Sequence, residues 1–204
     1  MSRATDRTGG EVVGEFLSVA QLLEEPRLAQ VYAHCHREDT TSVQDLMEAL
    51  ELPQGTAYAY VDRLTEAGVL EVDDEGQPRT YTARPIDLTV TTGTDAGEYH
   101  ITPALVDAVG RRTTDADIDT YIDRHGIAGL ATALEYALDR ERGTVTHRLM
   151  ARDLDISPLA AEIILQALRP VVHEHFDIEP SGASLDNVVA AEEPAIDDEG
   201  VDEP

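Results

Sequence analysis

The sequence predicts a mainly α-helical protein that carries a small β-hairpin. Apolar residues recur at helical spacing through most of its 204 positions. Two short periodic runs in the first third are separated by a tight break, and a turn-rich stretch directly after them divides two β-prone runs.

Taken in order, residues 1–10 are polar, end on Gly-Gly and are expected to be mobile. Val12, Phe16, Val19, Leu22 and Leu23 then mark an amphipathic leading helix of the kind that can support a dimer. Pro26 suits an early helical position, and Leu28, Val31, Tyr32 and Cys35 form the stripe of the next helix. After the cap at Ser42, Val43, Leu46, Met47 and Leu50 repeat at i, i+3, i+4 and i+7. Pro53 disfavours helical backbone at Leu52, and Gly55 frees the chain, so Glu51-Leu52-Pro53-Gln54-Gly55 is a break. Ala57, Tyr60, Val61 and Leu64 resume the buried pattern, with Gly68 as a left-handed stop.

Two short helices around a tight break make a helix-turn-helix signature. Val69-Leu70-Glu71-Val72 and Arg79-Thr80-Tyr81-Thr82-Ala83 flank Asp73-Asp74-Glu75-Gly76-Gln77-Pro78 and predict a hairpin, the wing. Further strands are expected over residues 86–91 and 97–101. From the Thr102 cap and Pro103, helices are expected over 103–110, 115–124, 127–141, 145–153 and 158–170. Residues 145–169 form a second helix-turn-helix-like unit, broken at Asp155-Ile156-Ser157. Beyond Glu179, acidic, Ala, Pro and Gly residues without periodicity predict a disordered tail. The predicted organisation is a mobile start (1–10), a winged helix-turn-helix domain with its leading helix (11–101), a helical C-terminal domain (102–178) and an acidic tail (179–204).

The stretch LPQGTAYAYVDRLTEAGVLEVDDEGQPRTYTA resembles the recognition helix and wing of archaeal winged helix-turn-helix regulators of the ArsR and TrmB type. Thr56, Tyr58, Arg63, Leu64, Ala67, Gly68, Val69, Arg79 and Tyr81 carry the likeness over about a third of the chain. The resemblance implies a sequence-specific transcription regulator that binds double-stranded DNA as a homodimer. The chain is too short for a TrmB-like sugar-binding domain and lacks an ArsR-like cysteine pair, so no effector is implied.

In such a protein the residues near the start of the second helix read base edges, and basic residues elsewhere neutralise phosphates. Gln54, Gly55, Thr56, Tyr58 and Ala59, with Asp62, lie off the buried face and are the candidate readers. Gln54 can pair with an adenine edge, and Tyr58 with a phosphate. Arg63, on the helix, and Arg79, Tyr81 and Arg84, on the wing, are the candidate backbone contacts. Residues 52–61 and 76–86 contain no acid in a chain where acids are frequent, which spares both segments from direct repulsion. The alternative is a protein-interaction scaffold without direct DNA binding. The stretch from Arg140 to Arg152 is the most basic, but the apolar helix after it suits packing or dimerisation better than reading DNA.

Charge is the most unusual property, with 41 acids against 15 bases, all of them arginine, giving a net of −26 and a pI near 4.3. Such self-repulsion opposes compaction in dilute buffer, whereas a Debye length of about 3 Å at 1 M salt removes most of it. The composition is similar to that of proteins from salt-accumulating haloarchaea, so the acidity does not exclude a nucleic-acid partner. No run has the eighteen or so apolar residues of a membrane span and the start lacks an apolar signal segment, so a cytoplasmic protein without membrane contact is expected. Cys35 stands alone and cannot build a cysteine metal cage. His34 and His36, like His173 and His175, are two residues apart, and helical ligand pairs need three or four. No phosphate loop, nucleophile elbow or paired-carboxylate motif stands out, and no catalytic residue, metal or cofactor is expected.

Overall fold

The computed structural model describes residues 19–91 and 98–178. The expectations for residues 1–10, for most of the leading helix and for the acidic tail fall outside them. The described chain is mainly helical with two small antiparallel sheets. No helix among the described residues is long and apolar enough to cross a membrane.

The end of the leading helix, residues 19–24, buries Val19 and Leu22 completely. Helix α1 (Pro26–Arg37) starts on a proline whose missing N–H has no role in the first turn, and buries Leu28, Ala29, Val31, Tyr32, Ala33 and Cys35. Strand β1 (Thr41–Ser42) leads into α2 (Val43–Ala49), which opens on a capping box. Ser42 Oγ accepts from the Asp45 N–H at 3.2 Å, and the Asp45 carboxylate accepts from the Ser42 N–H at 2.9 Å. The Ser42 hydroxyl also donates to the Asp45 carboxylate at 2.7 Å, and this bond, followed by the one from the Ser42 N–H, lowers the pKa of Asp45. The break places Glu51 in the left-handed region (φ 51°), and the Leu52 N–H closes it on the Met47 carbonyl. Helix α3 (Gln54–Glu66) then buries Ala57, Val61 and Leu64 and stops at Gly68 (φ 73°).

Strands β2 (Leu70–Asp73) and β3 (Thr80–Ala83) form the expected hairpin, with Leu70 opposite Ala83 and Val72 opposite Tyr81. The third strand of this sheet is β1, pairing Thr41 with Tyr81, a contact two residues long that leaves no periodic trace in the sequence. Strands β4 (Leu88–Thr91) and β5 (Glu98–Ile101) pair with each other as a separate ribbon.

Helix α4 (Pro103–Arg111), capped by Thr102, packs along α1 and also touches α5 and α7. At Gly110 the approach to α1 is so close that a Cβ would lie 3.0 Å from the Gln30 backbone nitrogen. Helix α5 (Ala116–Glu141) contains a sharp kink at Gly126 (φ 69°), at the break expected between two helices. Helix α6 (His147–Asp153) and helix α7 (Pro158–His175) follow. The sequence predicts an end near Pro170, but α7 runs through it because Val171 and Val172 beyond are fully buried. One continuous apolar core extends from Val19 to Val172.

The second helix-turn-helix-like unit repeats the first residue by residue. Thr146 caps α6 as Ser42 caps α2, and both helices are seven residues long. Asp155 (φ 52°) takes the left-handed position of Glu51, and the Ile156 N–H bonds back to Ala151 as Leu52 does to Met47. At the same shift Ala161, Leu165 and Leu168 of α7 correspond to Ala57, Val61 and Leu64 of α3. The helix ahead of each unit buries a matching pattern, Leu28, Ala29, Val31, Tyr32 and Cys35 in α1 against Leu130, Ala131, Ala133, Leu134 and Ala137 in α5.

Candidate nucleic-acid interface

Helix α3 is oriented by its buried stripe, which turns the opposite side outward. Gln54, Gly55, Tyr58 and Ala59 are exposed, Tyr58 to 47%, and Thr56 is half-buried. A Cβ on Gly55 would meet nothing within 4 Å, so the first turn is open. Pro53, at the cap, supplies no side-chain acceptor, and the first helical bonds run from the Thr56 and Ala57 N–H groups to its carbonyl. The first two turns of α3 therefore present a neutral surface of amide, hydroxyl, phenol and backbone.

The arginines expected to meet a DNA backbone are engaged by carboxylates. Arg63 Nη1 lies 2.7 Å from Glu25, ahead of α1. Arg79 Nε is 2.9 Å from Asp74 across the hairpin turn, and Arg84 Nε is 2.6 Å from Glu71 on the neighbouring strand. All three pairs are exposed, and such pairs contribute about 0–1 kcal/mol each, so their arginines can change partner at little cost. The acid-free segments of the sequence are not acid-free in space, because an antiparallel hairpin sets each strand against the acids of the other. The cleft between α3 and the hairpin is lined by Asp62, Glu66 and Asp74 with Arg79. Asp62 was already placed on the outer face of the helix, whereas Glu66, Asp74, Glu25 and Glu71 were missed by reading linear windows, and the hairpin register is the signal that places Glu71 beside Arg84.

Tyr81 requires a correction. Its side chain is an inward position of β3, only 6% exposed and part of the core, so only the small part of it that lines the same cleft is left to make contact. Burial, ahead of the nearby charges, raises its pKa. Tyr32, fully buried in α1, donates a 2.7 Å hydrogen bond to the Arg84 carbonyl and ties the exit of the hairpin to the helix core.

A second polar cluster lies at the junction of α1, α4 and α7. Asp107, buried in the apolar run 104–110, accepts from Arg37 at 2.9 Å, from Arg111 at 2.9 Å and from His175 at 3.1 Å. Glu174 bridges the same two arginines. Burial opposes ionisation of Asp107, but the bonds from His175 and Arg111 and the charges of Arg37 and Arg111 prevail and hold its pKa well below the usual carboxylate range. An acid inside an apolar helical stripe was the sequence signal for this cluster.

Residues 112–177, spanning α5 to α7, match a model for a family of unknown function (DUF7437). No curated protein and no solved structure matches the chain.

Proposed function

We propose that this protein is a sequence-specific, DNA-binding transcription regulator built on a winged helix-turn-helix, acting as a homodimer in the cytoplasm. The observation that carries the reading is the order α2, left-handed turn, α3, glycine stop and hairpin, with an open and neutral first half of α3. In this reading Gln54, Gly55, Thr56, Tyr58 and Ala59 enter the major groove, and Arg63, Arg79 and Arg84 exchange their carboxylates for phosphates. Two copies read half-sites about one helical turn, 34–36 Å, apart.

The test is selection of genomic fragments by the full chain in molar potassium chloride, followed by anisotropy titration of the winning duplex. Discrimination over scrambled duplex is the expected result, and it is lost when Gln54→Ala and Tyr58→Ala are combined. Equal binding to all fragments, or none, overturns the reading.

Asp62, Glu66 and Asp74 in the cleft favour a second reading, in which the same face holds a protein partner without direct DNA contact. Under that reading no duplex is selected at any salt concentration.

A further inference from the structure

We infer that the contact between the His36 and His175 rings is a proton-sensitive latch, which holds the last turn of α7 against α1 and, through Tyr32, steadies the exit of the hairpin. The inference deepens the DNA-binding reading by giving it a regulator. It rests on that reading only for its effect on DNA, and the latch is tested without DNA, so each can fail separately.

The ring centroids lie 5.6 Å apart, His36 on α1 and His175 in the last turn of α7. The His175 side chain is buried, and its Nε2 pairs with Asp107. His36 also meets the ring of Tyr32 at 6.0 Å, and the Tyr32 hydroxyl holds the Arg84 carbonyl where the hairpin ends. One line of contacts therefore runs from the second helix-turn-helix-like unit to the wing. A gap of about 90 Å³ beside the two rings, bounded by Thr102, Pro103 and Phe176, has room for water to bring a proton. Pro170 donates no backbone hydrogen bond, so the end of α7 is tied to the rest of the helix by one bond fewer.

The charges around His36 make its neutral form the one that fits. About it stand Arg37 on α1, Asp107 and Arg111 on α4, and Glu174 and His175 on α7, with Glu38 at the end of α1 bordering the same cluster. Asp107, the buried acid of this group, already accepts from Arg37, Arg111 and His175, and Glu174 is taken by the same two arginines. The His36 ring has no hydrogen-bond or ion-pair partner among the described residues. A proton there adds a charge without an acceptor to a partly buried site that already holds two arginines. Burial and the nearby His175 and Arg37 accordingly hold the His36 pKa below its ordinary value. The closed arrangement is thus fully favoured above about 6.5 and is lost as the pH falls through the folded value, where parting of the last turn of α7 lets the ring reach water. Only that turn opens, because Val171 and Val172 ahead of it are fully buried.

Amide hydrogen exchange of the full chain in molar potassium chloride, corrected for the intrinsic effect of pH, tests the inference. Between pH 7.5 and 5.5, protection of amides 173–176 and of the Arg84 amide, which bonds to the Val69 carbonyl, is expected to fall by about tenfold or more while that of α5 holds. His36→Phe keeps a ring beside Tyr32 that cannot take a proton, and it is expected to abolish the fall. Circular dichroism checks folding, and His36→Gln carries the test if the phenylalanine variant loses helicity. His173→Gln, at a ring that pairs with Glu141 instead, is expected to leave the fall unchanged. Protection over 173–176 that ignores pH, that falls equally in every helix, or that still falls in His36→Phe overturns the inference. A duplex selected by the wild type is expected to bind it less tightly at the lower pH and to bind His36→Phe equally at both. Equal binding by the wild type at both overturns the regulatory role and leaves DNA binding itself standing.

Discussion

The Oδ2 atom of Asp107 lies 3.1 Å from Nε2 of His175, and both side chains are at most 5% exposed. This contact joins α4, which packs on α1 ahead of the first helix-turn-helix-like unit, to the last turn of α7 in the second. It is closed by Arg37 from α1 and Arg111 from α4, so three helices that are distant in sequence share one carboxylate.

Replacing that carboxylate leaves two partly buried arginines without their buried partner, with only the more exposed Glu174 between them. Asp107→Asn is expected to destabilise the fold by about 3–5 kcal/mol, the cost of breaking a buried pair, measured by urea denaturation in constant salt. Because the folded pKa is depressed, the stabilisation is fully present above the unfolded carboxylate value of about 3.9 and is lost progressively as pH falls below it. The difference between wild type and variant should therefore be constant from neutral pH down to that value and shrink below it.

His36 gives a pH dependence in a higher window. Its ring sits between Tyr32 and His175, at centroid distances of 6.0 and 5.6 Å. Burial, then the neighbouring His175 and Arg37, lower its pKa, with Asp107 opposing. Burial lowers that of His34 as well. A depressed histidine pKa favours the neutral folded form, so stability is present above about 6.5 and falls as the pH drops through the folded values. Thermal melts between pH 7.5 and 5 should show a falling Tm, and His36→Gln should flatten that slope. A slope unchanged by the substitution would remove His36 as its source.

Gly110 is a packing glycine. A methyl group there would sit 3.0 Å from the Gln30 nitrogen and 3.2 Å from its Cα, both backbone atoms that move only with α1. Gly110→Ala should cost about 1–3 kcal/mol by overpacking, although alanine is the better helix former. A more stable variant would mean that α1 and α4 are free to separate.

Tyr32→Phe removes the hydroxyl that satisfies the Arg84 carbonyl. The expected loss is about 1 kcal/mol for a part-buried hydrogen bond removed, read by denaturant melts. Amide exchange should accelerate in β3 and at the hairpin exit before it does in α7.

The local elements were legible because their signals are local. Ser42, Pro53, Gly68 and Thr102 announced caps and stops that the structure contains, and the break between residues 124 and 127 is the kink at Gly126. The pairing of β1 with β3 was not legible, since two residues carry no period. Nor was the continuation of α7 through Pro170, where burial of Val171 and Val172 outweighs a lost backbone bond. In the candidate interface, exposure of Gln54, Gly55, Tyr58 and Ala59 followed from the position of the buried stripe. The pairing of Arg63, Arg79 and Arg84 did not, because their carboxylates come from other elements.

By itself, the sequence determined the mainly helical class, the two helix-turn-helix-like units, the hairpin and the net charge of −26, all of which depend on residue type and short-range spacing. Only the tertiary structure decided where that charge is neutralised, which tyrosine is buried and which histidines meet between α1 and α7. Those outcomes depend on which surfaces meet, and folding brings together residues such as Arg37, Asp107 and His175 that no window along the chain contains.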